Sequence, residues 1–276
     1  MRTSGISLLA ALALALPLTA LAQGERPVGS TFIRGAFEYG GQTLDDLRAF
    51  QRTNNALLAN VYGVPPTLKD LGGAPGFEFE AGYQVNSVLS VGIGFAHGKN
   101  SRENASGGLV DVYDGLGNYM GQVQLNFRQK MEAAISEITG NVTYWVPGSP
   151  GVFMGVEAGL GMGRFKENWA GTAVADFGSD SEVDSQEYKG NGFVGGAFAG
   201  YDAVYSNGIS AFVKAGYRLR NLGKLEGHHT PLLEGESARH EMLYEDLNRN
   251  QESVGFDYSG LFASVGMGFS FGGKER

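Results

Sequence analysis

Charged side chains recur on one face of segments in which polar and apolar residues alternate. Eight residues follow this pattern: Arg34, Glu38, Glu78, Glu80, Glu137, Glu157, Lys214 and Arg218. If they point into a narrow barrel, their mixed signs predict a salt-bridge network that plugs the lumen, because buried charges persist only when paired. A narrow path for small ions is one alternative, and a pair of carboxylates working as an acid/base couple is another.

Other residues could bind metals or act on lipids. Alternating carboxylates, which can hold Ca²⁺, occur at Asp180, Glu182, Asp184 and Glu187, but the run lacks the EF-hand glycine and is typical of a solvated acidic loop. A second candidate metal site comprises His228, His229, His240, Glu241 and Glu245. His97 could serve lipid-modifying chemistry, yet no compact His-x-Ser sequence accompanies it. We therefore predict no catalytic residues, no metal and no cofactor.

Composition excludes several classes of protein. The 276 residues include 44 glycines and no cysteine, and the formal net charge is −8. A disulfide scaffold and thiolate chemistry need cysteine, and an acidic chain is a poor partner for nucleic acid.

The amino terminus resembles an export signal. Arg2 precedes an almost unbroken apolar stretch over residues 6–18, and residues 20–22 read Ala-Leu-Ala. A short apolar core followed by small residues is typical of a cleaved signal peptide. We therefore expect residues 1–22 to direct export, leaving residues 23–276 as a single domain.

The remaining chain alternates with the period of a β-strand. Eight segments of about ten residues, the length that a tilted strand needs to cross a bilayer, lie at residues 31–39, 77–85, 89–96, 137–144, 152–162, 193–201, 209–217 and 261–271. Three short turns alternate with four long connections, near residues 40–75, 99–132, 164–190 and 220–255. Short turns at one end and long loops at the other are typical of an outer-membrane barrel.

Small and aromatic residues indicate which face meets lipid. Glycine and serine accompany the charged residues, which suits the crowded interior of an eight-stranded barrel. Aromatic residues cluster near both ends of the strands and predict two interfacial girdles. The girdle residues are Phe37, Tyr39, Phe77, Phe79, Phe95, Phe193 and Tyr217 towards the long loops, and Tyr83, Tyr144, Tyr201, Tyr205, Phe269 and Phe271 towards the short turns. A secreted or periplasmic sandwich or lipocalin-like barrel is the alternative.

The long connections differ from one another. Residues 43–61 have helical spacing and predict a short helix in the first. The second reads as a hairpin that lengthens strands three and four, although two further spanning strands would give a ten-stranded barrel. Residues 224–252 of the fourth lack alternation, so we expect the barrel to close without them.

The export signal, the eight alternating strands and the closing Val265, Met267, Phe269 and Phe271 resemble the small outer-membrane β-barrel families, represented by the OmpA transmembrane domain and OmpX-like proteins. The resemblance implies an all-β barrel in the cell outer membrane, in contact with lipid bilayer and lipopolysaccharide and assembled through its carboxyl-terminal strand. We expect a monomeric, non-enzymatic protein with a structural or surface-recognition role in its loops; a pore and a lipid-modifying enzyme are the alternatives.

Overall fold

The computed structural model describes residues 27–40, 73–175, 178–205, 208–230, 239–241, 243–245, 251–253 and 255–273. The predicted export signal and the predicted helix at residues 43–61 lie outside the described residues. Within the described residues there is no helix, and thus none long and apolar enough to span a membrane.

Thirteen strands occur in the described part of the chain. They are β1 Thr31–Gly40, β2 Ala74–Asn86, β3 Leu89–Tyr113, β4 Tyr119–Trp145, β5 Val152–Ala175, β6 Gly178–Val204, β7 Ile209–Lys224, β8 Glu226–Thr230, β9 Arg239–Glu241, β10 Leu243–Glu245, β11 Gln251–Ser253, β12 Gly255–Asp257 and β13 Gly260–Phe271.

Eight of these strands form a closed antiparallel ring. Strands β1 to β7 pair in chain order, β13 pairs with β7, and β13 closes the ring on β1 with Thr31 opposite Phe271 and Gly40 opposite Phe262. The prediction of an eight-stranded barrel is confirmed. The ten-stranded alternative is wrong, because β3 and β4 stay paired along their whole length, from Leu89 opposite Tyr144 to Tyr113 opposite Tyr119.

Side chains alternate between the interior and the exterior with the period of the strand. In β1, Phe32, Arg34 and Glu38 are buried, whereas Ile33 and Phe37 are exposed. The exterior of the ring is therefore apolar and its interior contains the charges, the reverse of a water-soluble barrel.

Glycines on the inner face make room for large side chains. A Cβ atom on Gly155 would lie 2.5 Å from the Cζ atom of Phe198, and a Cβ on Gly82 would collide with the ring of Phe32. A narrow barrel can enclose several aromatic rings only if their neighbours are this small.

The two ends of the barrel differ. At one end, strands are joined by tight turns, such as residues 146–151 with Gly148 and Gly151 at φ of 76° and 81°. At the other end β3 to β6 continue as a long extension. The interpretation of residues 164–190 as a loop is wrong: β5 and β6 stay paired out to Ala175 and Gly178, because inter-strand hydrogen bonds satisfy the backbone there.

The fourth long connection also contains strands. β8 pairs with β6 through Glu226 and Lys189, and β12 pairs with the end of β7. Leu225 is completely buried in an interior cluster of apolar side chains. Leu225 therefore contributes to the packing of the interior, whereas closure of the barrel without residues 224–252 stays a prediction.

Candidate functional site

The barrel interior contains all eight charged residues of the predicted network, and none of them is more than 7% exposed. Two more charged side chains, Asp202 and Arg220, are buried with them, so six carboxylates share four cations. Neither Asp202 nor Arg220 was among the residues predicted for the network. The inward position of Arg220 could have been predicted from its two-residue spacing from Arg218, because residues two apart share one face of a strand.

Arg218 is the centre of the network. Its Nη1 atom donates to both oxygens of Glu38, at 3.0 and 2.9 Å, and its Nε and Nη2 atoms donate to the two oxygens of Glu157. Arg220 Nη2 also donates to Glu38, over 3.2 Å, while its Nε atom pairs with Glu137. Charges taken out of water need this number of partners to offset their lost hydration.

The other two cations combine ion pairs with aromatic rings. Lys214 pairs with Glu78 and its Nζ atom lies 4.8 Å from the ring centroid of Phe198. Arg34 Nη2 donates to Asp202 over 2.8 Å, and its Nη1 atom lies 3.5 Å from Glu80. Cation–π contacts of this kind are strongest where water is excluded.

Aromatic rings surround Arg34 at the short-turn end of the barrel. Its guanidinium carbon lies 4.9 to 5.6 Å from the ring centroids of Phe32, Trp145, Phe153 and Phe212. Sequence reasoning missed this cluster because it assigned aromatic residues to the membrane girdles. In each strand these residues lie an even number of positions from the inward-facing charged or polar residues, and this spacing could have predicted that they face the interior.

An apolar cluster fills the interior beyond the charges, towards the long extension. It consists of Ala74, Met131, Ala133, Ile135, Phe165, Tyr188, Val194, Leu222, Leu225 and Tyr258. Above it Gln129 pairs with Glu167, and the rings of Phe127 and Trp169 pack 5.4 Å apart. The lumen therefore contains an aromatic layer, a charged layer and an apolar layer in sequence.

The cavities lined by described residues include a small one beside the charged layer and a larger one at an end of the barrel. A void of about 10 Å³ near Glu38, Arg220 and Tyr258 has at most the volume that one water requires. A larger pocket of about 260 Å³ opens at the short-turn end, between Gln84, Trp145 and the turn at residues 146–151. Cations bind the lumen carboxylates, and large side chains cover them. Within the described residues, no path therefore leads a substrate to a pair of carboxylates that could act as acid and base.

The predicted girdle residues lie on the outer face. Those exposed to the surroundings are Phe37, Tyr39, Phe77, Phe79, Tyr83, Phe95, Tyr144, Phe193, Tyr217, Phe269 and Phe271, while Tyr201 and Tyr205 are half-buried. Several of them touch: the ring centroids of Phe77 and Phe79 are 5.7 Å apart, and those of Phe269 and Phe271 are 6.1 Å apart.

Strand register brings His97 next to a serine. His97 on β3 faces Ser136 on β4, and its Nδ1 atom lies 2.9 Å from the hydroxyl oxygen of Ser136. Both side chains are on the outer face and half-buried. A search for His-x-Ser could not find this pair, because its members are 39 positions apart along the chain.

Most of the candidate metal ligands lie outside the side chains that the structure describes. Within the described part of the chain, no group of three or more His, Asp or Glu side chains could hold a metal ion. The candidates whose side chains lie outside the described set are Glu182, Asp184, His228, His229, His240, Glu241 and Glu245. Glu187 pairs instead with Arg164 over 2.6 Å and with Lys189 over 3.3 Å, and the Arg164 hydrogen bond lowers the pKa of this carboxyl group.

These features define the class of protein as an eight-stranded β-barrel with an apolar exterior and a filled lumen. No protein-family model matches the sequence, and no curated protein matches it significantly. Solved structures with a similar fold include Ail, the attachment invasion locus protein of Yersinia pestis (12% identity, TM-score 0.41, covering 88% of this chain and 99% of that one).

Two others are OprG of Pseudomonas aeruginosa (13% identity, TM-score 0.40, covering 89% and 97%) and a major outer membrane protein of Thermus thermophilus (16% identity, TM-score 0.39, covering 87% and 99%). Likenesses this distant assign no function, which has to follow from the barrel's own residues.

Proposed function

We propose that this protein is a closed, non-conducting barrel of the cell outer membrane, and that its function is surface recognition by the extension of β3 to β6. The lumen filled by successive aromatic, charged and apolar layers is the observation that carries the proposal. An open pore needs a continuous polar path, and the apolar cluster around Met131 and Phe165 interrupts it.

The exterior supports placement in a membrane. On β5 the outward residues from Val152 to Met162 include Met154, Val156 and Leu160, all exposed. Ten residue steps at about 3.3 Å, tilted by about 40°, span roughly 25 Å, the height of the apolar band of outer-membrane barrels. In water this surface would be far larger than the apolar patch that a soluble monomer tolerates.

Export and assembly follow from this placement. Residues 1–22 direct export to the periplasm, and the barrel-assembly machinery recognises β13. Supporting this, β13 is the strand that closes the ring, and its outer face carries Val265, Met267, Phe269 and Phe271. The short turns then lie in the periplasm and the extension lies outside the cell.

The tip of the β3–β4 hairpin is the candidate recognition surface. Leu116 is 89% exposed, and Leu109, Tyr113, Tyr119 and Met120 are also exposed. Asp114 stiffens the tip, because its carboxylate accepts hydrogen bonds from the backbone of Leu116 and from the backbone and side chain of Asn118. Tyrosine and methionine on a rigid projection are typical of the centre of a protein–protein interface. The partner is therefore a protein outside the cell.

A pair of measurements tests the proposal. Barrels whose insertion is verified by heat-modifiable gel mobility should give no steady conductance in planar bilayers. Cells displaying the protein should adhere to protein-coated surfaces, and the triple change Tyr113→Ser, Leu116→Ser and Tyr119→Ser should abolish adhesion, whereas Gln124→Ser with Asn126→Ser should not. Steady nanosiemens conductance would refute the closed barrel, and unchanged adhesion of the tip variant would refute recognition by the hairpin.

A lipid ester hydrolase is the second candidate, favoured by the contact between His97 and Ser136. The Ser136 hydroxyl oxygen would attack the ester carbonyl carbon while His97 Nδ1 takes its proton and returns it to the departing alcohol; water then hydrolyses the acyl-serine. Lipid mass spectra of cells producing the wild type should show deacylated species that Ser136→Ala removes and Ser101→Ala retains. Identical spectra for cells with and without the protein would exclude this activity.

A further inference from the structure

Positive charge is concentrated on the outer face of β3 to β6, just beyond the apolar band. Lys99 lies four residues beyond Phe95, Arg164 two residues beyond Met162, and Lys189 four residues before Phe193. At about 3.3 Å per residue and a tilt of about 40°, these separations are roughly 5–10 Å along the membrane normal, which is about the depth of lipid headgroups. We call Lys99, Lys130, Arg164, Lys166, Lys189, Glu132 and Glu187 the cationic patch.

The sign of this patch opposes that of the whole chain. It contains five cations and two carboxylates, whereas the chain has a formal net charge of −8. Part of the patch places like charges opposite each other, since Arg164 is the register partner of Lys189. Directly opposed like charges destabilise a sheet unless an anion lies between them.

The two carboxylates hold the cations in place. Glu132 accepts from Lys99 over 2.9 Å and from Lys130 over 3.0 Å. Glu187 binds Arg164 and Lys189, and Lys166 lies between both glutamates in the strand register. Hydrogen bonds from Lys99 and Lys130 lower the pKa of Glu132, as the bond from Arg164 does for Glu187, so both carboxylates stay ionised at neutral pH.

The cations keep unused hydrogen-bonding capacity. About half or more of the side-chain surface is exposed in four of them: Lys99, Lys130, Arg164 and Lys189. An ammonium group has three N–H donors and a guanidinium has five, so one or two contacts with glutamate leave several directed outwards. Cations that are held in place, carry excess positive charge and have N–H donors directed outwards are suited to bind a phosphate group.

We propose that the cationic patch binds phosphate groups on the headgroup of the outer-leaflet glycolipid, lipopolysaccharide. The proposal rests on the membrane placement argued under Proposed function and names the lipid partner of that barrel. The phosphates meet Arg164 and Lys189 at the level of the headgroups while the acyl chains lie along the apolar residues below. The outer face of β3 to β6 would therefore bind lipopolysaccharide in preference to other lipids.

The test compares lipids and variants in nanodiscs. The wild type is measured against bis-phosphorylated lipid A and dephosphorylated lipid A, with soluble dextran sulfate as a polyanion that lacks acyl chains. The patch variant combines Lys99→Gln, Arg164→Gln and Lys189→Gln. The control variant combines Arg128→Gln and Lys224→Gln, which lie outside the patch. Heat-modifiable mobility verifies that each protein is inserted.

We expect bis-phosphorylated lipid A to bind about 100-fold more weakly to the patch variant, since each cation near an anionic surface contributes roughly fivefold. Dephosphorylation of the lipid should have a similar effect, and the control should stay within about twofold, because exposed charges outside a binding site contribute little. Equal binding of both lipids, or tight binding of dextran sulfate, would overturn the proposal. A wild type that does not insert at all would instead overturn the membrane placement.

Discussion

Replacing Arg218 with methionine removes the cation at the centre of the lumen while keeping most of the side-chain volume. In the native barrel Arg218 is 1% exposed and pairs with Glu38 and Glu157, with Glu137 3.6 Å away. Arg220 remains to pair with Glu38 and Glu137. Glu157 is therefore the carboxylate that loses the cation bonded to it.

The structure sets the magnitude of this effect. Removing one partner of a buried ion pair costs about 3–5 kcal/mol, because it leaves an uncompensated charge away from water. Adding Glu157→Gln to Arg218→Met removes that charge and should recover about 1–3 kcal/mol of the free energy of unfolding. Thr139→Ala, at a buried neutral position on the inner face, should cost about 1 kcal/mol or less.

Urea unfolding in lipid vesicles, followed by tryptophan fluorescence and by gel mobility without boiling, measures these free energies. The reasoning would be refuted if Arg218→Met were within about 1 kcal/mol of the wild type. It would also be refuted if Glu157→Gln lowered the stability of the Arg218→Met protein further, since the two side chains would then be energetically independent.

Three more predictions concern other parts of the barrel. Val142→Arg, on the exposed outer face, should lower the free energy of unfolding in vesicles by about 2–4 kcal/mol, and equal stability would contradict the membrane placement. Leu225→Ala should cost about 2–5 kcal/mol in the same assay because Leu225 is fully buried; a silent change would mean that the fourth connection does not support the barrel. Hydrogen bonds from the side chain and backbone of Asn118 lower the pKa of Asp114 below its ordinary value of 3.8, so the carboxylate stabilises the hairpin tip above that pH and loses this effect as pH falls through the lowered value. Amide chemical shifts of Leu116 and Asn118 should therefore titrate below pH 3.8, and Asp114→Asn should abolish the titration.

Local patterns determined much of this fold. Alternation with a period of two is a property of each extended segment, so the eight strands and the inward parity of Arg34, Glu78 and Lys214 can be predicted without knowing their neighbours. The same local rule also places Phe32, Phe153 and Phe212 in the interior. At residues 164–190 alternation is weaker, and pairing with the neighbouring strand decides the structure.

Partners across strands were decided by the tertiary structure alone. Parity places Arg218 and Glu157 on inner faces, but only strand register and barrel closure bring residues 61 positions apart into contact. The same holds for the contact of His97 with Ser136 and for the opposition of Arg164 and Lys189 in the cationic patch. Alternation determines which face of the sheet a side chain occupies, whereas strand register determines which side chains lie next to it. Register depends on hydrogen bonds between segments that are distant in the sequence.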